Sequence, residues 1–203
     1  SAGDMLYVPP EFAHDGVAMG ACYTYSIGFR APSHSELMSQ FLIFLEDRLD
    51  ASGRYGDPDL SPPADPARLE AGMIAKVAGI LGDIRWTRRD VAEFLGSYLT
   101  EPKPHVLFAP PRKLLSEIAF RSAARRRGVE LALASRMLYG SAMLFINGDT
   151  NKIDLARATP LRRLADARRL PGRQIPLRGL VTDMLYDWYR AGYIYLSNSG
   201  PAG

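Results

Sequence analysis

The chain has one cysteine, Cys22, in 203 residues. A single thiol excludes an intramolecular disulfide framework and a cysteine-based zinc site. It fits a reducing, cytoplasmic setting. Histidine is almost as scarce, with only His14, His34 and His105. Long apolar runs are missing too. The richest, 37–45, closes at Glu46-Asp47-Arg48 and falls well short of the roughly 18 residues a membrane span needs. No basic n-region opens the chain, so no secretory signal is read there. No glycine-rich phosphate loop, no Ser-His-Asp order and no internal repeat appears.

What the chain does carry is an uneven charge. Residues 1–100 hold 8 Lys/Arg against 14 Asp/Glu, whereas residues 101–203 hold 17 against 8. The net charge of +3 therefore joins an acidic half to a basic one. Different partners for the two halves are expected. The basic half suits RNA or an RNA-rich particle; solvated helix faces account for the same arginines equally well.

The first thirty residues alternate. Met5 and Tyr7 share one face of a strand over 4–8, and Pro9-Pro10 ends it, since proline cannot donate to a ladder. Residues 11–16 form a turn carrying His14. A second strand over 17–30 places Cys22, Thr24, Ser26 and Gly28 on one face, and Tyr23, Tyr25, Ile27 and Phe29 on the other. Small polar groups opposite aromatic ones fit a barrel wall with a lined cavity. A closed barrel takes about eight strands, so these two read as the end of one.

Helical spacing follows. Ser33 or Ser35 caps a helix that runs to about Leu49. A second helix is expected from Pro66 to Leu81. A third, Thr87 to Tyr98, has Thr87 as N-cap and Asp90 at the capping-box position. Residues 101–111 are proline-rich and read as a linker. Beyond it we expect a helix from Arg112 to Arg127 stopped by Gly128. Strands follow over 130–135, 136–146 and 152–155, with a turn at Asn147-Gly148-Asp149. A helix near 161–168, a last helix over 177–191 and a strand at 193–196 complete the pattern. Short strands among helices fit an α+β module of winged-helix type.

Among the residues with chemistry, His14 stands out at a strand–turn junction beside inward-facing polar positions. Neutral imidazole is a common ligand in non-haem iron sites built from two His and one carboxylate. A lone histidine is otherwise structural. Asp15 points away from its neighbour in extended chain and suits a turn. His34-Ser35-Glu36 has ligand-like spacing but sits at a helix start. Thr24 and Ser26 can bind the carboxylate of a 2-oxo acid or satisfy nearby backbone and water. Arg125-Arg126-Arg127 complements a helix C-terminus or, with Arg112, Lys113, Arg121, Arg162, Arg163, Arg168 and Arg169, contacts phosphates. Trp188, Tyr189, Tyr193 and Tyr195 read as packing of the last helix and strand.

Several segments together carry a resemblance. They are Gly3-Asp4-Met5-Leu6-Tyr7-Val8-Pro9-Pro10, Phe12-Ala13-His14-Asp15-Gly16 and Tyr25-Ser26-Ile27-Gly28-Phe29-Arg30-Ala31-Pro32. Arg54-Tyr55-Gly56-Asp57-Pro58-Asp59, Leu144-Phe145-Ile146-Asn147-Gly148 and Ala191-Gly192-Tyr193-Ile194 extend it. The chain resembles the C-terminal portion of the bacterial ribosomal oxygenases, JmjC-type cupins that hydroxylate an arginine of a large-subunit ribosomal protein. The resemblance implies an α+β organisation in three parts. Residues 1–31 would be the last strands of a cupin/JmjC barrel, 32–100 a helical dimerisation region, and 112–203 a winged-helix-like domain behind the 101–111 linker. It implies Fe(II) and 2-oxoglutarate as cofactors of the complete enzyme, with His14 the last of three metal ligands and 2-oxoglutarate near Thr24 and Ser26. Relatives often have Asn at position 24. The His-x-Asp pair that would complete the metal set is not found in these residues, so the chain alone is expected to be inactive and to bind neither cofactor stably. It implies a ribosomal protein substrate and a homodimer, with ribosomal RNA contact open and no membrane association. The alternative is a non-catalytic dimerising or RNA-binding module. A third possibility is that the remaining barrel strands come from another polypeptide.

Overall fold

A computed structural model describes residues 3–9, 11–28, 31–49, 52–59, 61, 65, 67–154, 156 and 158–197. It divides into two units, Ser1–Met38 and Ser39–Gly203.

In the first unit none of the described residues of the two strands expected at 4–8 and 17–30 enters a ladder; Phe29 and Arg30 lie outside the described residues. Alternation becomes a strand only where a second backbone takes up its hydrogen bonds. Both faces are open, with Met5 93% and Tyr23 95% exposed. The unit ends in the first turn of α1 (His34–Glu46), where the Ser33 hydroxyl accepts the Glu36 N–H at 3.1 Å. Ser33 is therefore the cap.

In the second unit α1 continues to Glu46, short of Leu49. α2 (Ala71–Gly82) starts later than expected, while α3 (Arg88–Thr100) starts where its capping box dictates. Thr87 N–H donates to Asp90 Oδ2 at 2.7 Å, and Asp90 N–H returns to Thr87 Oγ1 at 3.3 Å. Phe41 and Phe44 of α1 meet Phe94 of α3 with ring centroids 5.3 and 5.6 Å apart. α2 buries no residue.

The remainder is two three-stranded antiparallel sheets among helices. One is ordered β5-β1-β6, from β1 (Val129–Leu131), β5 (Arg169–Leu170) and β6 (Ile194–Leu196). The other is β2-β3-β4, from β2 (Met137–Tyr139), β3 (Met143–Ile146) and β4 (Asp149–Lys152). Around them lie α4 (Glu117–Arg127), α5 (Thr159–Ala167), a 3-10 turn (Gly172–Gln174) and α6 (Leu180–Ala191). Phe120, Leu144, Leu161, Leu185 and Ile194 are fully buried and join both sheets to α4, α5 and α6 in one core.

Several expected boundaries move for local reasons. The helix before Gly128 begins at Glu117 rather than Arg112, because the Ser116 hydroxyl accepts the Ala119 N–H. The single strand expected over 136–146 is a hairpin: Gly140 N–H donates to the Met143 carbonyl at 2.8 Å and turns the chain back. The next strand lies at 149–152, not 152–155, since Asn147 (φ 50°) and Gly148 (φ 92°) form a two-residue turn with both φ positive. The last helix starts at Leu180 behind Gly179 (φ 104°). β5 and the 3-10 turn have no counterpart in the sequence reading.

α3 belongs structurally with the second sheet. Gly96 faces the Phe145 ring so closely that a Cβ there would overlap it. The Thr100 hydroxyl accepts the Gly148 N–H at 3.1 Å, and Ser97 Oγ donates to the Gly148 carbonyl at 2.5 Å. The proline-rich stretch after α3 is tied down at its far end. Phe108 packs edge-on against Tyr193 at 4.7 Å, and Tyr195 Oη donates to the Ala109 carbonyl at 3.1 Å.

Candidate functional site

His14, Thr24 and Ser26 are all exposed. His14 Nδ1 lies 3.4 Å from the Phe12 carbonyl oxygen. A proton on Nδ1 donated to that carbonyl leaves the Nε2 lone pair available, which is how second-sphere carbonyls set a histidine for a metal. One imidazole is not a complete site. Among the described residues no three His, Cys, Asp or Glu side chains gather where they could hold a metal ion. The ligands present therefore do not by themselves fit an Fe(II) centre. His34 opens α1 behind the Ser33 cap, as a helix start requires.

The arginines divide into three kinds. Arg168 is absorbed structurally: its guanidinium donates to the carbonyls of Ser135, Ala132 and Leu133 at 2.8–3.3 Å. Arg121 is paired with Glu117 and, at 2.7 Å, with Asp183, and Arg162 lies over the Tyr139 ring at 5.4 Å. The third kind lines a concavity. Arg125, Arg126 and Arg127 at the end of α4 meet Arg169 of β5 and Arg173 of the 3-10 turn around a groove of about 620 Å³. Arg173 was not singled out in the sequence, where nothing linked it to a helix nearly fifty residues earlier. Trp188 and Tyr189 are buried, as expected for packing residues.

A short sheet with a hairpin, a small three-stranded sheet and closely packed helices define a winged-helix protein. The ROXA-like winged helix model matches residues 83–195, and a JmjC domain model matches residues 1–37. The chain belongs to the ROXA-like winged helix family, and its recognition as the C-terminal portion of a ribosomal oxygenase rests on both matches together with the relatives' names. It is 29% identical over 164 residues to a ribosomal protein uL16 3-hydroxylase of Escherichia coli K12, covering 80% of this chain and 43% of that protein. It is 33% identical over 81 residues to a probable ribosomal oxygenase of Haemophilus influenzae, covering 40% and 18%. Among solved structures it is similar to the E. coli ribosomal oxygenase YcfD in complex with cobalt and succinic acid (TM-score 0.61, 24% identity, 83% of this chain and 47% of that one). The same protein with cobalt and 2-oxoglutarate gives a TM-score of 0.60 at 23% identity, covering 83% and 47%. At that identity the likeness speaks for the fold. The chain spans less than half the length of these relatives. No helix among the described residues is long and apolar enough to cross a membrane.

Proposed function

We propose that this chain is the C-terminal portion of an Fe(II)- and 2-oxoglutarate-dependent dioxygenase that hydroxylates an arginine of a large-subunit ribosomal protein. The observation that carries the proposal is the pairing, on one chain, of a JmjC match at 1–37 with a ROXA-like winged helix at 83–195. Residues 1–31 supply the last barrel strands, and they form a ladder when the other strands are beside them. His14 gives one metal ligand through Nε2, and Thr24 and Ser26 border the cosubstrate. Fe(II) with 2-oxoglutarate supplies the oxygen-activating chemistry in the complete enzyme. Within 32–100, α2 joins a second copy, whereas α3 and the 101–111 segment fall inside the winged-helix match at 83–195. A ribosomal substrate puts the protein in the bacterial cytoplasm.

Alone, the chain is expected to be inactive, because a facial site takes three protein ligands and this reading supplies one. Anaerobic calorimetry with Fe(II) or Mn(II), with and without 2-oxoglutarate, tests this against His14→Ala. The expected result is no 2-oxoglutarate-coupled binding by this chain alone. When the remaining barrel is restored, binding should appear and be lost in His14→Ala. Tight binding by the chain alone would overturn the reading of an incomplete site.

A further inference from the structure

The arginine groove lies outside the catalytic reading above, and it is a built feature. Its walls are α4's last turn and the segment 169–173, which are pressed together backbone to backbone. Gly172 is buried, and a Cβ there would overlap the Arg125 carbonyl; at Gly128 a Cβ would come within 2.7 Å of the Leu170 carbonyl oxygen. Only glycine permits that approach, and it brings Arg169 and Arg173 to the end of α4.

Two of the five side chains are anchored by the fold. Arg125 Nη1 donates to the Ile175 carbonyl at 2.9 Å, and Arg127 Nε to the Ser197 carbonyl at 2.9 Å. Anchoring lowers the conformational entropy lost when a ligand is bound. Arg126 and Arg173 are exposed, and Arg126 makes a local bond to Ser122 Oγ at 2.5 Å. Offsetting the carbonyl end of α4 would take one or two cations. Five around one concavity exceed that role, and among the described residues that line it none is an Asp or Glu, although Glu130 stands opposite Arg169 in the β1–β5 ladder. All five are arginines rather than lysines, which suits forked hydrogen bonding to phosphate oxygens.

We propose that this groove binds the phosphodiester backbone of RNA. The choice of RNA as the source of phosphate rests on the ribosomal reading above; the groove's chemistry does not. The test uses neither metal nor activity, so its failure is separate from failure of that reading. A fluorescently labelled single-stranded RNA of about 20 nucleotides is titrated with the chain by anisotropy across a salt series near physiological ionic strength. Binding is expected, with Arg126→Ala/Arg173→Ala weakening it about tenfold and lowering the salt slope by about 1.5 to 2. The charge-matched control Arg88→Ala/Arg89→Ala, on α3, should change affinity less than about twofold. If the alanine pair lowers the thermal midpoint, Arg173→Glu alone, at an exposed position, reads the same effect. No RNA binding, unchanged binding in the groove variants, or an equal loss in the control overturns the proposal. So does binding of inorganic phosphate without RNA, which would make the groove a site for free anions.

Discussion

Glu93 is a carboxylate with a 6% exposed side chain, held by one cation. Arg48 Nη2 donates to its Oε1 at 2.6 Å, while the Arg48 guanidinium lies 4.2 Å from the Phe44 ring centre. That hydrogen bond holds the Glu93 carboxyl below the usual carboxylate range, against the opposing effect of burial, and raises Arg48 in turn. The pair is asymmetric, because the Arg48 side chain is 38% exposed and can reach water alone. Glu93 cannot. Arg48→Met should therefore cost about 3 kcal/mol, since it strands a buried charge. Glu93→Gln should cost about 1–2 kcal/mol. Urea unfolding at neutral pH compares them, and equal costs would contradict the asymmetry. The pH dependence follows from the sign of the shift. A folded-state value lowered below the unfolded one, about 4.3, gives stability fully present above that pH and lost as pH falls through the folded value. Thermal midpoints of the native chain should fall on acidification below about pH 4.3, and Glu93→Gln should flatten that fall. Asp90, lowered by its Thr87 hydrogen bonds, and Asp59, lowered by Lys76, add acid sensitivity of the same sign.

At the scale of elements, the seam between α3 and β3 depends on Gly96 meeting the Phe145 ring. In an open helix interior, Gly→Ala gains about 1 kcal/mol of stability. Here the added methyl has no room, so Gly96→Ala should instead lose about 1–3 kcal/mol. Phe145→Leu in the same chain should make the substitution less costly, and a double-mutant cycle measures that coupling. A stabilising Gly96→Ala would mean that α3 stands off the sheet. This seam was not legible in the sequence, where Gly96 looks like any weak point in a helix. What was legible had a local cause. Thr87 and Asp90 make the capping box, Gly128 stops α4, and Asn147-Gly148 makes the tight turn. What depends on distant partners was missed. β5 is two residues long and exists through pairing with β1. The break at Gly140 lies inside an apolar run that reads as one strand. The alternation at 4–8 and 17–30 is real, but none of the described residues there enters a ladder. The candidate sites divide the same way: His14 was visible from its motif, whereas Arg173 joined Arg125–Arg127 only through folding.

For the whole molecule, α2 is an element that the described residues of a single chain leave uncovered. Its sequence AGMIAKVAGILG has one charged residue, Lys76, which is tied to Asp59. Ile74, Ile80 and Leu81 are 52%, 59% and 61% exposed, and Val77 is 40% exposed. An apolar helix with no buried residue gains little from folding in isolation, because helical stability in water comes mainly from burying a face. Those positions recur at spacings of three, four and seven, which is the pattern of a helix packed against another. In the proposed dimer a second copy of the chain would offer the matching helix, and a two-fold axis would make the patch self-complementary. Light scattering on the eluting protein should therefore give twice the chain mass at micromolar concentration. Val77→Glu/Ile80→Glu should shift it to the mass of one chain, by placing charge where apolar surface must be dried. Because neither side chain is buried in the single chain, the variant monomer should keep its own unfolding midpoint within about 0.5 kcal/mol of stability. A native chain that elutes as a monomer, or a charged variant that remains dimeric, would remove α2 as the dimer contact.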